Sequence, residues 1–208
     1  MSFEAIPRIL WQGGMLMTNE NIRFFPQDRL LRATVLRLIP HWILPNHVTI
    51  VRFILIPFVL YTLWIERWPL ALFLFLLAAL TDAIDGSMAR TRKQITMWGT
   101  VADPVADKLL IGSVVVLFVA QEVNIVFAAI IVLMEFLIVL GAFIRNRRKH
   151  QYVSANEYGK MKMVLQVIGV SLLLVAKLLG FKLFVPFAVG TLTLAIVFAV
   201  VSFLTYGF

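Results

Sequence analysis

Residues 80–110 read LTDAIDGSMARTRKQITMWGTVADPVADKLL, and four aspartates, Asp82, Asp85, Asp103 and Asp107, stand in otherwise largely apolar sequence. Asp82 and Asp85 are three apart, Asp103 and Asp107 four apart, so on helices each pair shares a face. The connection 91–98 is too short for anything but antiparallel neighbouring helices, which turns the two acidic faces toward each other. Four like charges at that range repel strongly in a medium of low dielectric: either some are protonated or divalent metal ions hold them together. Oxygen ligands with no Cys and no nearby His favour Mg²⁺, Mn²⁺ or Ca²⁺ over zinc. Gly86 follows Asp82 by four residues and Gly99 precedes Asp103 by four, so each glycine lies on its carboxylate face and leaves the backbone open to a substrate or to the other helix.

Outside this stretch the chain is far too apolar for a soluble domain. Its 208 residues are 61% hydrophobic and only 14% charged, against about 25% charged in average usage, and the mean hydropathy is +0.92. The reading is an all-α integral membrane protein. Apolar runs at 48–65, 69–89, 100–120, 123–144, 158–179 and 183–206 each approach the ~20 residues a spanning helix needs, which predicts six transmembrane helices. Residues 1–47 are expected to form a separate N-terminal cytoplasmic or interfacial segment, and 48–208 the six-helix transmembrane domain that carries the acids. In 27–42, Leu30, Leu31, Val35, Leu38 and Ile39 alternate at helical spacing with Arg29, Arg32 and Arg37. That pattern predicts an amphipathic helix, lying either at the membrane interface or against the protein's own ends. No cleavable signal peptide is expected, because the first residues lack a basic segment followed by a compact apolar stretch.

Six spans put both termini on one side, together with Arg90, Arg92, Lys93, Arg145, Arg147, Arg148, Lys149, Lys160 and Lys162. Arg67, Lys177 and Lys182 fall on the other. The richer side is cytoplasmic by the positive-inside rule, so the acidic site opens toward the cytoplasm. The net charge of +8 is accounted for by this topology and by anionic lipid, without nucleic acid as a partner. Absence of Cys removes disulfides and thiolate chemistry.

The motif carries a resemblance. D-x2-D-G-x2-A-R, eight residues, then G-x3-D-x3-D stands here as Asp82, Asp85, Gly86, Ala89, Arg90, Gly99, Asp103 and Asp107, and it resembles the signature of the CDP-alcohol phosphotransferase family. The stretch Pro45-Asn46-His47-Val48-Thr49-Ile50-Val51-Arg52 with Pro57, the run from Asp103 to Lys108, and Gly159-Lys160-Met161-Lys162 with Gln166 are similar to bacterial phosphatidylglycerophosphate synthases within that family. The resemblance covers about 45–166. It implies transfer of a phosphatidyl group from CDP-diacylglycerol to a small alcohol acceptor with release of CMP, six transmembrane helices, two divalent ions (Mg²⁺ or Mn²⁺), a homodimer, and a bacterial inner-membrane setting. By the same resemblance Asp82, Asp85, Asp103 and Asp107 are metal ligands, Asp107 also the base, and Asn46, Arg52, Gly86, Ala89, Arg90, Gly99, Arg145 and Lys160 contact substrate.

Glycerol 3-phosphate is the expected acceptor. In the glycerophosphate synthases the fourth span is expected to carry arginines, but the matching positions here are Met134 and Ala142. Phosphatidylglycerol, giving cardiolipin, and an inositol phosphate therefore stay open as acceptors. From another class, a cation transporter also buries acids at broken helices. Six spans with all four acids near one face, and no inverted repeat, favour the transferase. Glu135 is either a functional acid or a carboxylate paired with a basic residue such as Lys160. Arg52 is a phosphate ligand, a snorkelling cation or a partner of an aspartate. His41, His47 and His150 are not spaced as metal ligands, and the tryptophans flank the apolar runs as an interfacial belt does.

Overall fold

The computed structural model describes residue 40 and residues 43–91, 97–149 and 157–206. The amphipathic stretch expected before Pro40 lies outside them. The described residues form helices and turns, with no strand among them. Helix α1 is Pro45–Trp64, α2 is Trp68–Thr91, α3 is Met97–Val114, α4 is Ile125–Lys149, α5 is Glu157–Leu179 and α6 is Phe184–Tyr206. Helix α3 runs on through a π-helical turn, Val115–Val119, and a last turn, Ala120–Glu122.

Local chemistry sets the helix ends. Pro45 starts α1 at the position where its missing N–H costs nothing. Glu66, at φ 55°, and Gly180, at φ +67°, take the left-handed conformation that closes α1 and α5. Asn124 caps α4, its Oδ1 accepting from the backbone N–H groups of Val126 (2.7 Å) and Phe127 (3.4 Å).

Among the described residues, four helices are long and apolar enough to cross a bilayer: Pro45–Trp64, Trp68–Ala89, Tyr158–Leu179 and Phe184–Thr205. Their outward stripes, such as Ile50, Ile54 and Phe58 on α1 and Phe73, Leu76 and Leu80 on α2, are exposed, as side chains bathed in lipid are. The protein is an integral membrane protein. Helix α3, charged at Asp103, Asp107 and Lys108 and followed by its π turn, is not among them, and the described apolar part of α4 is Ile125–Gly141. The charges that make the site lower the hydropathy of the helix that carries it.

The bundle is layered along its axis. Ile56, Val59 and Leu63 of α1, Phe75 and Ala78 of α2, Leu110 and Val114 of α3, Ile131 of α4, Val170 and Leu174 of α5 and Leu192 of α6 form one apolar core. Only a small cluster, Ile84 and Met88 with Ile43 and Val48, lies at the acidic end. Between the two sit the buried polar side chains Thr49, Arg52, Thr81, Asp85, Glu135, Lys162 and Gln166. Helix α5 packs most extensively on α6, and α1 on α2. The sequence reading expected α2 and α3 to meet face to face. Their direct contact is slight, and α1 lies against both of them. Seated between two rows of like charge, α1 brings a hydroxyl and a guanidinium that repelling carboxylates could not supply to each other.

Candidate active site

Thr49 and Arg52, three residues apart on one face of α1, organise the site. The Thr49 hydroxyl is 2.6 Å from Asp103 Oδ1 on α3 and 3.2 Å from Asp85 Oδ2 on α2. A hydroxyl has one proton to donate, and the shorter contact takes it. Thr49 therefore ties α3 to α1 while standing beside the acid of α2.

Arg52 is fully buried. Its Nη2 donates to Asp85 Oδ2 at 2.5 Å, its Nε donates to the Thr81 hydroxyl at 3.3 Å, and its Nη1 lies 2.8 Å from Asp82 Oδ1. The last contact is an ion pair without hydrogen-bond alignment. The fork of one guanidinium thus spans both carboxylates of the first pair. Asp85 is buried to 1% exposure and Asp82 is 33% exposed, so the pair has an inner and an outer member.

The second pair closes on the first through charge. Asp82 lies within electrostatic reach of Asp85, Asp103 and Asp107 alike. All four aspartates therefore gather at one end of the bundle. Among the described residues, however, no three acidic or histidine side chains close around a common point as metal ligands do; Arg52 contacts both Asp82 and Asp85. The side chains offered at this end of the bundle are oxygen donors of the kind a hard divalent cation takes.

A second buried polar group adjoins Asp107. Lys162 Nζ donates to Glu135 Oε1 at 2.6 Å and Gln166 Nε2 donates to the same oxygen at 2.9 Å. The carboxylate and ammonium are 11% and 6% exposed. Both lie within electrostatic reach of Asp107 and of Lys108. The expected partner of Glu135, Lys160, is replaced by Lys162. Two residues along a helix turn a side chain by roughly 200°, so Lys160 and Lys162 face different neighbours.

Of the other residues expected at the site, Asn46 stands in the first turn of α1, one turn before Thr49. Gly86 and Ala89 follow the acids on α2 and Gly99 is buried in the first turn of α3. The side chains of Arg90 and Arg145 lie outside the described residues. Thr49 and Lys162 carry contacts that sequence reasoning assigned to no role. Their signal was spacing: Thr49 is three before Arg52, and Lys162 is four before Gln166.

The CDP-alcohol phosphatidyltransferase family model matches residues 42–205. The chain is similar to the CDP-diacylglycerol--glycerol-3-phosphate 3-phosphatidyltransferase of Bacillus subtilis (strain 168), at 33% identity over 174 residues, 76% of this chain and 90% of that protein. It is similar to the protein of that name from Rickettsia felis, at 34% over 136 residues, 63% of this chain and 74% of the relative. Over 208 residues, 92% of this chain and 87% of the relative, it is 26% identical to CDP-diacylglycerol--glycerol-3-phosphate 3-phosphatidyltransferase 2 of Arabidopsis thaliana. With a match that takes in every helix from α1 to α6 and all four aspartates, the chain belongs to the CDP-alcohol phosphatidyltransferase family.

Proposed function

We propose that the chain transfers the phosphatidyl group of CDP-diacylglycerol to glycerol 3-phosphate, giving phosphatidylglycerophosphate and CMP. The relatives named for this reaction support the choice of donor and acceptor. The single observation that carries the chemistry is the convergence of Asp82, Asp85 and Asp103, from two helices, on Thr49 and Arg52 of a third.

The family is generally divalent-metal dependent, and in our reading Asp82, Asp85, Asp103 and Asp107 hold two ions, Mg²⁺ or Mn²⁺. When bound there, such ions would neutralise the donor diphosphate and stabilise charge on the departing phosphate. The chain does the rest. Asp107 accepts the proton of the attacking hydroxyl as its oxygen bonds to the phosphorus that carries the diacylglycerol. The bond from that phosphorus to the CMP oxygen breaks, and CMP leaves with the electron pair. Gly86, Ala89 and Gly99, with Asn46, line the cytidine side, where small side chains admit a flat base. Arg90 faces a donor phosphate, while Arg52, also expected to contact substrate, is engaged with Asp82 and Asp85. Arg145 and Lys160 serve the acceptor phosphate.

In the same reading residues 48–208 form a six-span catalytic domain and residues 1–47 an interfacial segment. The site faces the cytoplasm from a bacterial inner membrane, in a homodimer. Purified protein in liposomes containing CDP-diacylglycerol, given glycerol 3-phosphate, phosphatidylglycerol, inositol phosphate or serine in turn, tests the assignment. Fastest CMP release with glycerol 3-phosphate supports it. A different preferred acceptor overturns the acceptor, and cation flux with no release for any acceptor overturns the transferase.

A further inference from the structure

We propose that Arg52 is the resident counter-cation of the acidic site, holding the place of a divalent ion between Asp82 and Asp85 and competing with that ion for it. The inference rests on the two-metal reading above.

The geometry is that of a substitute. An arginine with no solvent exposure normally needs a full complement of acceptors, because removing a charge from water is costly. Arg52 finds its acceptors in two residues expected to bind metal: Nη2 is 2.5 Å from Asp85 Oδ2 and Nη1 is 2.8 Å from Asp82 Oδ1. Its third contact, the Thr81 hydroxyl, reaches Nε at 3.3 Å and steers the guanidinium without neutralising it. Thr81 in turn donates to the Ala78 carbonyl at 2.6 Å, which points its oxygen lone pairs at Arg52.

Two consequences follow. Before a metal binds, Arg52 offsets part of the negative charge of Asp82 and Asp85 and holds the two carboxylates by one guanidinium. With metal, a carboxylate oxygen that now accepts from Arg52 has to turn to the ion, and the unequal burial of the pair decides which turns first. Asp82, a third exposed and held by a misaligned contact, is the mobile partner. Asp85, 1% exposed and hydrogen-bonded, is the anchor. Arg52 is thus a positioning residue that also sets how tightly metal binds.

Mn²⁺ titration of the full chain in detergent, followed by electron paramagnetic resonance, tests this together with thermal unfolding of the metal-free protein. Arg52→Gln removes the charge and keeps hydrogen-bonding capacity. It is expected to bind Mn²⁺ about tenfold tighter than wild type, since a positive charge within contact distance of the site is gone. Its metal-free unfolding temperature should fall and its gain in stability on adding Mn²⁺ should exceed that of wild type. Arg52→Lys keeps the charge but a single ammonium cannot span both carboxylates, so its affinity should lie between the two. Either variant binding Mn²⁺ no more tightly than wild type overturns the proposal, and Arg52→Lys alone decides it if Arg52→Gln does not fold. Asp103→Asn, titrated alongside, separates this inference from the one beneath it. Undiminished Mn²⁺ binding in Asp103→Asn removes the metal site itself. Weakened binding there, with no tightening in the Arg52 variants, removes only the role of Arg52.

Discussion

Replacing Gly169 by alanine adds one methyl group where α5 closely approaches α6, and its cost can be worked from distances. A Cβ built there would lie 2.6 Å from Leu192 Cγ, 2.8 Å from Leu192 Cδ2 and 2.9 Å from Thr191 Oγ1. Carbon atoms prefer about 3.5–4.0 Å, so the shortfall is roughly 1 Å. Neither neighbour yields easily: Leu192 is fully buried and the Thr191 hydroxyl is bonded to the Ala188 carbonyl at 2.9 Å. The clash therefore passes to the backbones of α5 and α6. Parting them by ~1 Å forfeits a quarter to a half of the dispersion energy at the contact, and overpacking of this kind costs about 1–3 kcal/mol. For a chain of this size, that lowers the unfolding temperature by about 4–8 °C near the middle of the range. Gly190→Ala is the control. It lies on α6 with nothing within 4 Å of the added carbon, so it removes only glycine's backbone freedom and should stabilise by about 0.5–1 kcal/mol. Thermal unfolding of both variants in one detergent, against wild type, gives the comparison. Two shifts of the same sign, or a Gly169→Ala shift inside the measurement error, would refute the close approach of α5 and α6.

Other outcomes concern the polar layer. Lys162→Met should destabilise by about 3 kcal/mol by leaving Glu135 with Gln166 as its remaining donor, and adding Glu135→Leu should recover most of that loss; simple additivity in denaturant unfolding contradicts the pairing. Asp107→Asn should abolish turnover yet largely keep metal-dependent nucleotide binding, whereas Asp103→Asn should weaken both, and equal binding loss in the two removes Asp107 as base. Chelation with EDTA should stop CMP release and Mg²⁺ or Mn²⁺ restore it. Full recovery with zinc alone speaks against a site of hard oxygen ligands.

Much of the fold was legible in hydropathy because lipid makes periodic burial unnecessary: a run of apolar residues is itself the signal for a spanning helix. The same rule loses its grip on α3, where Asp103, Asp107 and Lys108 dilute the run, and it says nothing about which helices touch. Short connections predicted α2 against α3. What they could not convey is that repulsion between two acidic faces leaves room for a third helix, and α1 enters with Thr49 and Arg52. Arg52 was visible as an anomaly, a cation in an apolar run, with partnership to an aspartate among its readings; the choice between phosphate and carboxylate depended on a distance. Glu135 was visible for the same reason, but its partner turned on helix phase: Lys160 and Lys162 are both basic in sequence, and it is Lys162 that donates to the carboxylate. Gly86 and Ala89 were expected for their small size, and small residues act by the space they leave for a substrate.

Everything in the proposed mechanism depends on divalent ions lying between the acid pairs of α2 and α3. Anomalous scattering at the manganese edge from crystals of the full chain grown with Mn²⁺ and CDP-diacylglycerol is the most direct measurement. The account predicts peaks within coordination distance of the carboxylates of Asp82, Asp85, Asp103 and Asp107. A protein that releases CMP in solution while those four side chains show no manganese between them contradicts it.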